Sequence, residues 1–215
     1  MNDIASAATA AAEAALSRRP EPKQERAQRT RTLVLAAAAE LFASKGFPAT
    51  SITDIAQQVG LTKGAVYFHF KNKEDMAIAV VEANYLLWPT LLDEVRAEGL
   101  DPLQTLRELL DRTAHTFHTN VIVRATSRLQ AERTLIGSQL PQPYVGWIEI
   151  LTTLLAEARG AGQVRRDMTP EALARVIVAA FYGMQHISDV LHGQADLMER
   201  WAEVREVIFS SLAPR

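Results

Sequence analysis

Between Thr50 and Asp75 the chain reads TSITDIAQQVGLTKGAVYFHFKNKED. Gly60 separates two short apolar-patterned segments, and Thr62, Lys63, Gly64 and Ala65 open the second. A threonine opening a helix leaves its hydroxyl and the first amides where a phosphate oxygen can be held. Lys63 is placed to donate to guanine O6 and N7. Gly64 and Ala65 are small enough for the helix to lie close to a groove. Tyr67 and His69 carry a ring and a polar tip, and Lys71 and Lys73 offer further phosphate contacts. Arg26, Arg29 and Thr30, on the preceding segment, are expected to touch flanking phosphates. Thr62 to Lys73, with these three, form the expected DNA-contacting set.

A second set pairs rings with neutral polar groups. Val81, Tyr85, Trp88 and Leu92 share one face of a predicted helix. Gln130 sits beside apolar neighbours. Tyr144 and Trp147 lie three apart, and Phe181 and Gln185 lie four apart. Such stripes are ordinarily plain core, but a buried hydroxyl or amide needs a partner. A small-molecule site is apolar with a few placed polar groups, and these residues would furnish one.

Other chemistry finds little support. There is no H-E-x-x-H, G-x-S-x-G, Walker or G-x-G-x-x-G pattern, so no enzyme is expected. Gly160–Ala161–Gly162 reads only as a loop. His115 and His118 stand three apart without a third ligand, so they read as exposed histidines and no metal is expected. No cofactor is implied.

Of 215 residues, 48% are hydrophobic and 22% charged, as in a globular protein. No apolar run of about 18 residues exists, so no membrane span is expected. The Ala-rich first 17 residues lack an opening basic cluster and are interrupted by Asp3 and Glu13, against a secretory signal. The absence of cysteine excludes disulfides and fits a cytoplasmic setting. Net charge is −2 overall, but Arg18 to Lys73 holds ten Lys/Arg against four acids, leaving +6 there and −8 elsewhere. A basic head on an acidic body is the electrostatic footprint of a nucleic-acid reader.

The positioning elements read as helices throughout. Residues 1–24, broken by Pro20 and Pro22, are expected to form a flexible arm with a fraying helix near Ala10–Leu16. Glu25 to Lys45 carries a stripe of Leu33, Val34, Ala37, Ala38, Leu41 and Phe42 ended by Gly46. Ser51, with Asp54 as a capping-box acid, opens the next helix, and Gly60 stops it. Thr62 caps a helix to about Phe68. Asn72 caps a long one to about Glu98. Further helices are expected near 102–118, 121–136, 143–160, 169–191 and 194–212. The expected fold is all-α. Residues 25–72 would form a helix-turn-helix DNA-binding domain and 73–215 a ligand-binding and dimerisation domain.

Two helices across a short Gly-containing turn match a helix-turn-helix. The Thr50–Asp75 segment, with Leu41–Phe42 and Gly46–Phe47 before it, resembles the DNA-binding signature of the TetR family. That resemblance implies a homodimer, an all-helical C-terminal domain and ligand-controlled release from a palindromic operator. Gly64–Ala65–Val66, Phe68–His69–Phe70 and Pro141–Gln142–Pro143–Tyr144–Val145–Gly146–Trp147 further resemble the actinomycete autoregulator receptors. Those bind γ-butyrolactones, butenolides or alkylated furan carboxylic acids, and the furan receptors of the methylenomycin type look nearest.

By this resemblance Tyr85, Gln130 and Tyr144 hydrogen-bond a lactone or carboxylate head. Trp88, Phe117, Trp147 and Phe181 wall an alkyl tail, with Gln185 beside them. The regulated genes would serve antibiotic or secondary metabolism. The alternative is a regulator of efflux or catabolic genes answering a drug or metabolite. Helices 169–191 and 194–212 are expected to pair two subunits. Ala174, Val178, Phe181 or Tyr182, Leu197, Trp201, Val204 and Ile208 would give the apolar faces, with Ala179, Ala180 and Gly183 permitting close approach. The helix from Asn72 is read as one unbroken rod from the DNA head to the small-molecule site.

Overall fold

The computed structural model describes residues 23–214. The expected arm helix near Ala10–Leu16, and all but the last two residues of the 1–24 arm, lie outside them. Among the described residues there are nine α-helices and no strand. The head comprises α1 (Lys23–Lys45), α2 (Ile52–Gln58) and α3 (Lys63–His69). The connecting helix is α4 (Lys73–Arg96). The body adds α5 (Pro102–Thr119), α6 (Val121–Ala131), α7 (Val145–Gly160), α8 (Pro170–His192) and α9 (Leu197–Leu212).

Local chemistry sets the head's boundaries. Ser51 accepts from the Asp54 amide while Asp54 accepts from the Ser51 amide, a complete capping box. Those hydrogen bonds hold the Asp54 carboxyl below its usual range. Thr62 Oγ1 accepts from the Ala65 amide, and Asn72 Oδ1 from the Asp75 amide. Gly60, at φ +67°, turns the chain between α2 and α3.

Val34, Ala38, Phe42, Ile55, Val66 and Phe70 are buried together with Met76, Ala77, Val80 and Val81 of α4. Leu33, expected in this stripe, is 53% exposed, because the buried face of α1 is centred on Val34, Ala38 and Phe42. The head core also takes in Ala125 and Leu129 of α6 and Ile136 and Leu140 beyond it. It is thus closed by the body, and α1 packs extensively on α6.

The predicted 121–136 helix ends at Ala131 and gives way to a 3₁₀ turn, Arg133–Leu135. The other body helices fall within about three residues of expectation. Their core gathers Trp88, Leu109, Leu110, Phe117, Leu151, Leu154, Phe181 and Trp201. Burying each such side chain is worth about 1.5–3 kcal/mol. Helix α4 runs without a break from Lys73 to Arg96, as expected, but Pro89 lies inside it, one residue past Trp88. A proline there has no N–H for the carbonyl of Tyr85, four residues back. Among the described residues no helix is long and apolar enough to cross a membrane.

Candidate functional site

On the head, Val66 and Phe70 anchor α3 in the core, leaving Thr62, Lys63, Gly64 and Tyr67 exposed and Ala65 and His69 half-exposed. Lys71 is exposed just beyond, and Arg26, Arg29 and Thr30 share α1. Thr30 Oγ1 donates to the Arg26 carbonyl at 2.9 Å, so its hydroxyl is partly engaged. Lys73 departs from the expected set. Its Nζ donates to the carbonyls of Phe47 (2.7 Å) and Thr50 (2.9 Å) and stands 4.1 Å over the Phe47 ring. The ammonium is spent holding the α1–α2 turn, and we remove Lys73 from the DNA-facing residues. Phe68, not among the expected DNA contacts, is 77% exposed at the end of α3.

Within the body a cavity of about 150 Å³ is lined by Asn84 and Tyr85 of α4, Phe117 of α5, and Thr126, Ser127 and Gln130 of α6. Tyr144 and Trp147 of the α7 start, and Tyr182, Gln185 and His186 of α8, complete it with Val123, Ala131 and Pro143. A second cavity of similar volume lies behind Tyr85, Tyr144 and Trp147, walled by Trp88, Pro89, Gln142, Gly146 and Ile150.

The rings are mutually braced. Trp88 stands 5.0 Å from Trp147 and stacks on Phe117 at 5.9 Å. Tyr144 meets Tyr182 edge-on at 4.6 Å. Seven of the eight ligand-site residues expected from sequence therefore line one cavity or the other. Phe181 does not line either of these two. It points into the core between Phe117 (5.3 Å) and Trp201 (5.4 Å), and the next residue, Tyr182, takes its place. Asn84 and Thr126 are further lining residues not expected from sequence.

The cavity's lining holds no Lys, Arg, Asp or Glu. Burial pushes the Tyr85 hydroxyl up from its ordinary range, opposed by its hydrogen bond with Gln130. Burial, followed by the nearby Tyr144 and Tyr85, pushes Tyr182 up strongly. Tyr85 Oη donates to the Gln142 carbonyl at 3.1 Å. Gln130 Nε2 donates to Tyr85 Oη at 3.1 Å and to the Pro141 carbonyl at 2.9 Å. α4 and α6 thus both grip the 141–142 segment. Tyr144 opens α7 in a left-handed conformation, φ +71°. A non-glycine residue held there stores about 1–3 kcal/mol, the kind of strain that clusters at ligand clamps.

The predicted subunit-pairing faces are also corrected. Ala174, Val178, Phe181, Leu197, Trp201 and Ile208 are buried in the chain's own core. The opposite side of α8 carries exposed Val176 (54%), Ile187 (48%), Val190 (66%) and Leu191 (63%), with Ala179 and Gly183 exposed between them. On α9, Val207 is 71% exposed.

Residues 34–80 match the family model described as bacterial regulatory proteins, tetR family. Residues 103–214 match the tetracyclin repressor-like C-terminal domain. The chain is similar to the A-factor receptor protein of Streptomyces griseus, 34% identical over 191 residues. That alignment covers 89% of this chain and 66% of the receptor, just under two thirds of its length. A solved structure on the molecular basis for control of antibiotic production by bacterial hormones is 51% identical, with a TM-score of 0.83. It is matched over 98% of its length and 86% of this chain. A crystal structure of a γ-butyrolactone receptor, described as an ArpA-like protein, is 28% identical over 86% of this chain and 98% of that one, with a TM-score of 0.66.

Proposed function

The chain belongs to the TetR family of bacterial regulatory proteins, and from that premise we propose that it is a cytoplasmic, homodimeric repressor released from a palindromic operator by a small signalling molecule. It is a DNA-binding transcription regulator rather than an enzyme. The inducer belongs to the γ-butyrolactone, butenolide or alkyl-furan carboxylic acid class, and the controlled genes serve antibiotic or secondary metabolism. The similarity to a hormone-linked structure and to the A-factor receptor supports this class.

One observation carries the reading. A single helix, α4, begins three residues past α3's C-cap and brings Asn84 and Tyr85 to a ring-walled cavity with no Lys, Arg, Asp or Glu in its lining. A guest that prefers one placement of α4 biases the placement of α3. Half-sites about 34–36 Å apart tolerate little change in the spacing of two recognition helices.

The division of labour follows. Residues 25–72 read DNA through Thr62, Lys63, Gly64, Ala65, Tyr67, His69 and Lys71, flanked by Arg26, Arg29 and Thr30. Residues 73–215 hold the ligand against Tyr85, Trp88, Phe117, Gln130, Tyr144, Trp147 and Gln185, joined by Asn84, Thr126 and Tyr182. Two copies pair through the exposed Val176–Leu191 stripe of α8 together with α9.

The test is native mass spectrometry of protein purified from its own host, followed by operator gel shift with the co-purified compound. A lactone, butenolide or furan acid that releases the operator is expected. Release by a drug or catabolic metabolite, with none of these compounds acting, would replace this reading with that of an efflux or catabolic regulator.

A further inference from the structure

We propose that Phe68 reads the 5-methyl group of a thymine in the major groove, which makes it a specificity-determining residue of the DNA head. The inference rests on α3 being the recognition helix, and it starts from the way that helix faces. Val66 is fully buried, and Phe70, just past the helix end, is 4% exposed. Successive helical residues turn by about 100°, so Gly64 and Phe68, two before and two after Val66, point about 160° away from it. They form the line farthest from the core, one turn apart. One end of that line is a hollow and the other is a ring.

The packing of the described residues accounts for neither choice. A Cβ on Gly64 would meet only Thr62 Oγ1, at 3.9 Å, an ordinary contact, and Gly64 is not among the residues with positive φ. A glycine that weakens a helix without such a reason fits the close approach of a partner surface. Phe68 is 77% exposed and is met edge-on by the His69 ring at 5.1 Å. A phenyl ring has no donor or acceptor, so it can bond neither a phosphate nor the polar edge of a base. The apolar group that a base pair offers in the major groove is the thymine methyl. Lys63, on the flank of the same helix, supplies the cation that draws α3 to DNA. Four helical residues advance about 6 Å, close to two base-pair steps of about 3.4 Å. Gly64 thus lets the start of α3 sink into the groove, and Phe68 meets a methyl about two base pairs farther along.

The test uses the full-length protein and a duplex recovered by selection from a random pool. Each thymine is replaced in turn by uracil, which keeps every hydrogen-bonding group and loses only the methyl. Fluorescence anisotropy is expected to show one replacement per half-site that weakens binding roughly three- to tenfold. Phe68→Ala is expected to bind the thymine duplex more weakly by a similar factor and to ignore that replacement, its fold being checked by thermal melting. Indifference of the natural protein to every uracil would overturn the thymine inference and leave operator binding standing. So would a Phe68→Ala protein that keeps the full uracil penalty. Recovery of no preferred duplex would overturn both this inference and the assignment of α3 as the recognition helix.

Discussion

Glu132 and Phe47, 85 positions apart, are directly bonded: Glu132 Oε2 accepts the Phe47 backbone N–H at 2.6 Å. Beside this bond, Arg128 Nη1 donates to the carbonyls of Ala43 (3.1 Å) and Ser44 (2.9 Å) at the end of α1. Terminal helix carbonyls lack intrahelical donors and attract a cation. Arg128 and Glu132 are themselves paired at 3.2 Å. Arg128 lies on α6 and Glu132 directly follows it, and the same helix carries Thr126, Ser127 and Gln130 on the cavity wall. The cavity therefore touches the DNA head by two routes, α4 and α6, where the sequence suggested one.

Cutting the second route separates binding from response. Glu132→Ala is expected to keep ligand affinity in calorimetry, while the ligand-induced loss of operator affinity, typically about 5–150-fold for such couplings, shrinks toward none. An undiminished response in fluorescence anisotropy would assign the signal to α4 alone.

Gly46 sits at φ +82°, where a Cβ would fall 2.4 Å from Glu132 Oε1 and 2.9 Å from Arg128 Nε. Gly46→Ala combines backbone strain with displacement of this pair. A loss of about 1–3 kcal/mol is expected in denaturant unfolding. Unchanged stability would mean that the Arg128–Glu132 pair yields freely.

The two lysines that open α3 and α4 are expected to part company. Lys63→Ala abolishes specific operator binding and leaves the melting temperature unchanged, because the side chain is exposed and makes no bond within the described residues. Lys73→Ala lowers stability by about 1–3 kcal/mol, since it removes the ammonium donor from the Phe47 and Thr50 carbonyls. Gel shift and thermal melting on both variants check the contrast.

Tyr144→Phe removes a hydroxyl at the cavity mouth and keeps the ring that meets Tyr182. Weaker inducer response with unchanged operator affinity is expected. Equal loss of both in a gel-shift titration would remove Tyr144 from the ligand site.

Alkaline pH acts through Tyr182. Its hydroxyl pKa is raised by burial above the ordinary value of 10.0, so the folded chain holds the proton more tightly than the unfolded one. This contribution is intact below about pH 10 and is lost as pH rises beyond it. The melting temperature is expected to fall as pH rises above about 10. Tyr182→Phe should flatten that fall.

The head was legible because its signals are local. Ser51, Thr62 and Asn72 act on amides within three residues of themselves, and each caps as read. The cavity was legible at Tyr85 and Gln185, each a polar group on an otherwise apolar helix stripe. It was not legible at Phe181 and Tyr182. Adjacent positions on a helix point about 100° apart, and which one faces the cavity is set by how α8 rolls against α5 and α7. The same roll misplaced the pairing face: α8 carries apolar residues on two sides, so its sequence offers two stripes, and tertiary packing takes Ala174, Val178 and Phe181 inward. Lys73 reads as one more surface cation because nothing in the sequence reports that Phe47 turns its carbonyl and ring toward it.

Pro89 leaves the long connecting helix one backbone hydrogen bond short, about two-thirds of the way along it. The lower arm, from Lys73, is embedded in the head's hydrophobic cluster, and the upper arm in the body's. Trp88 and Pro89 both border the second cavity, so an occupant there would press on the weakest point of the beam. A strut that bent beside its load would swing its far end through an arc instead of pushing it along a line. Two recognition helices moved in that way would change their tilt in the groove as well as the gap between them.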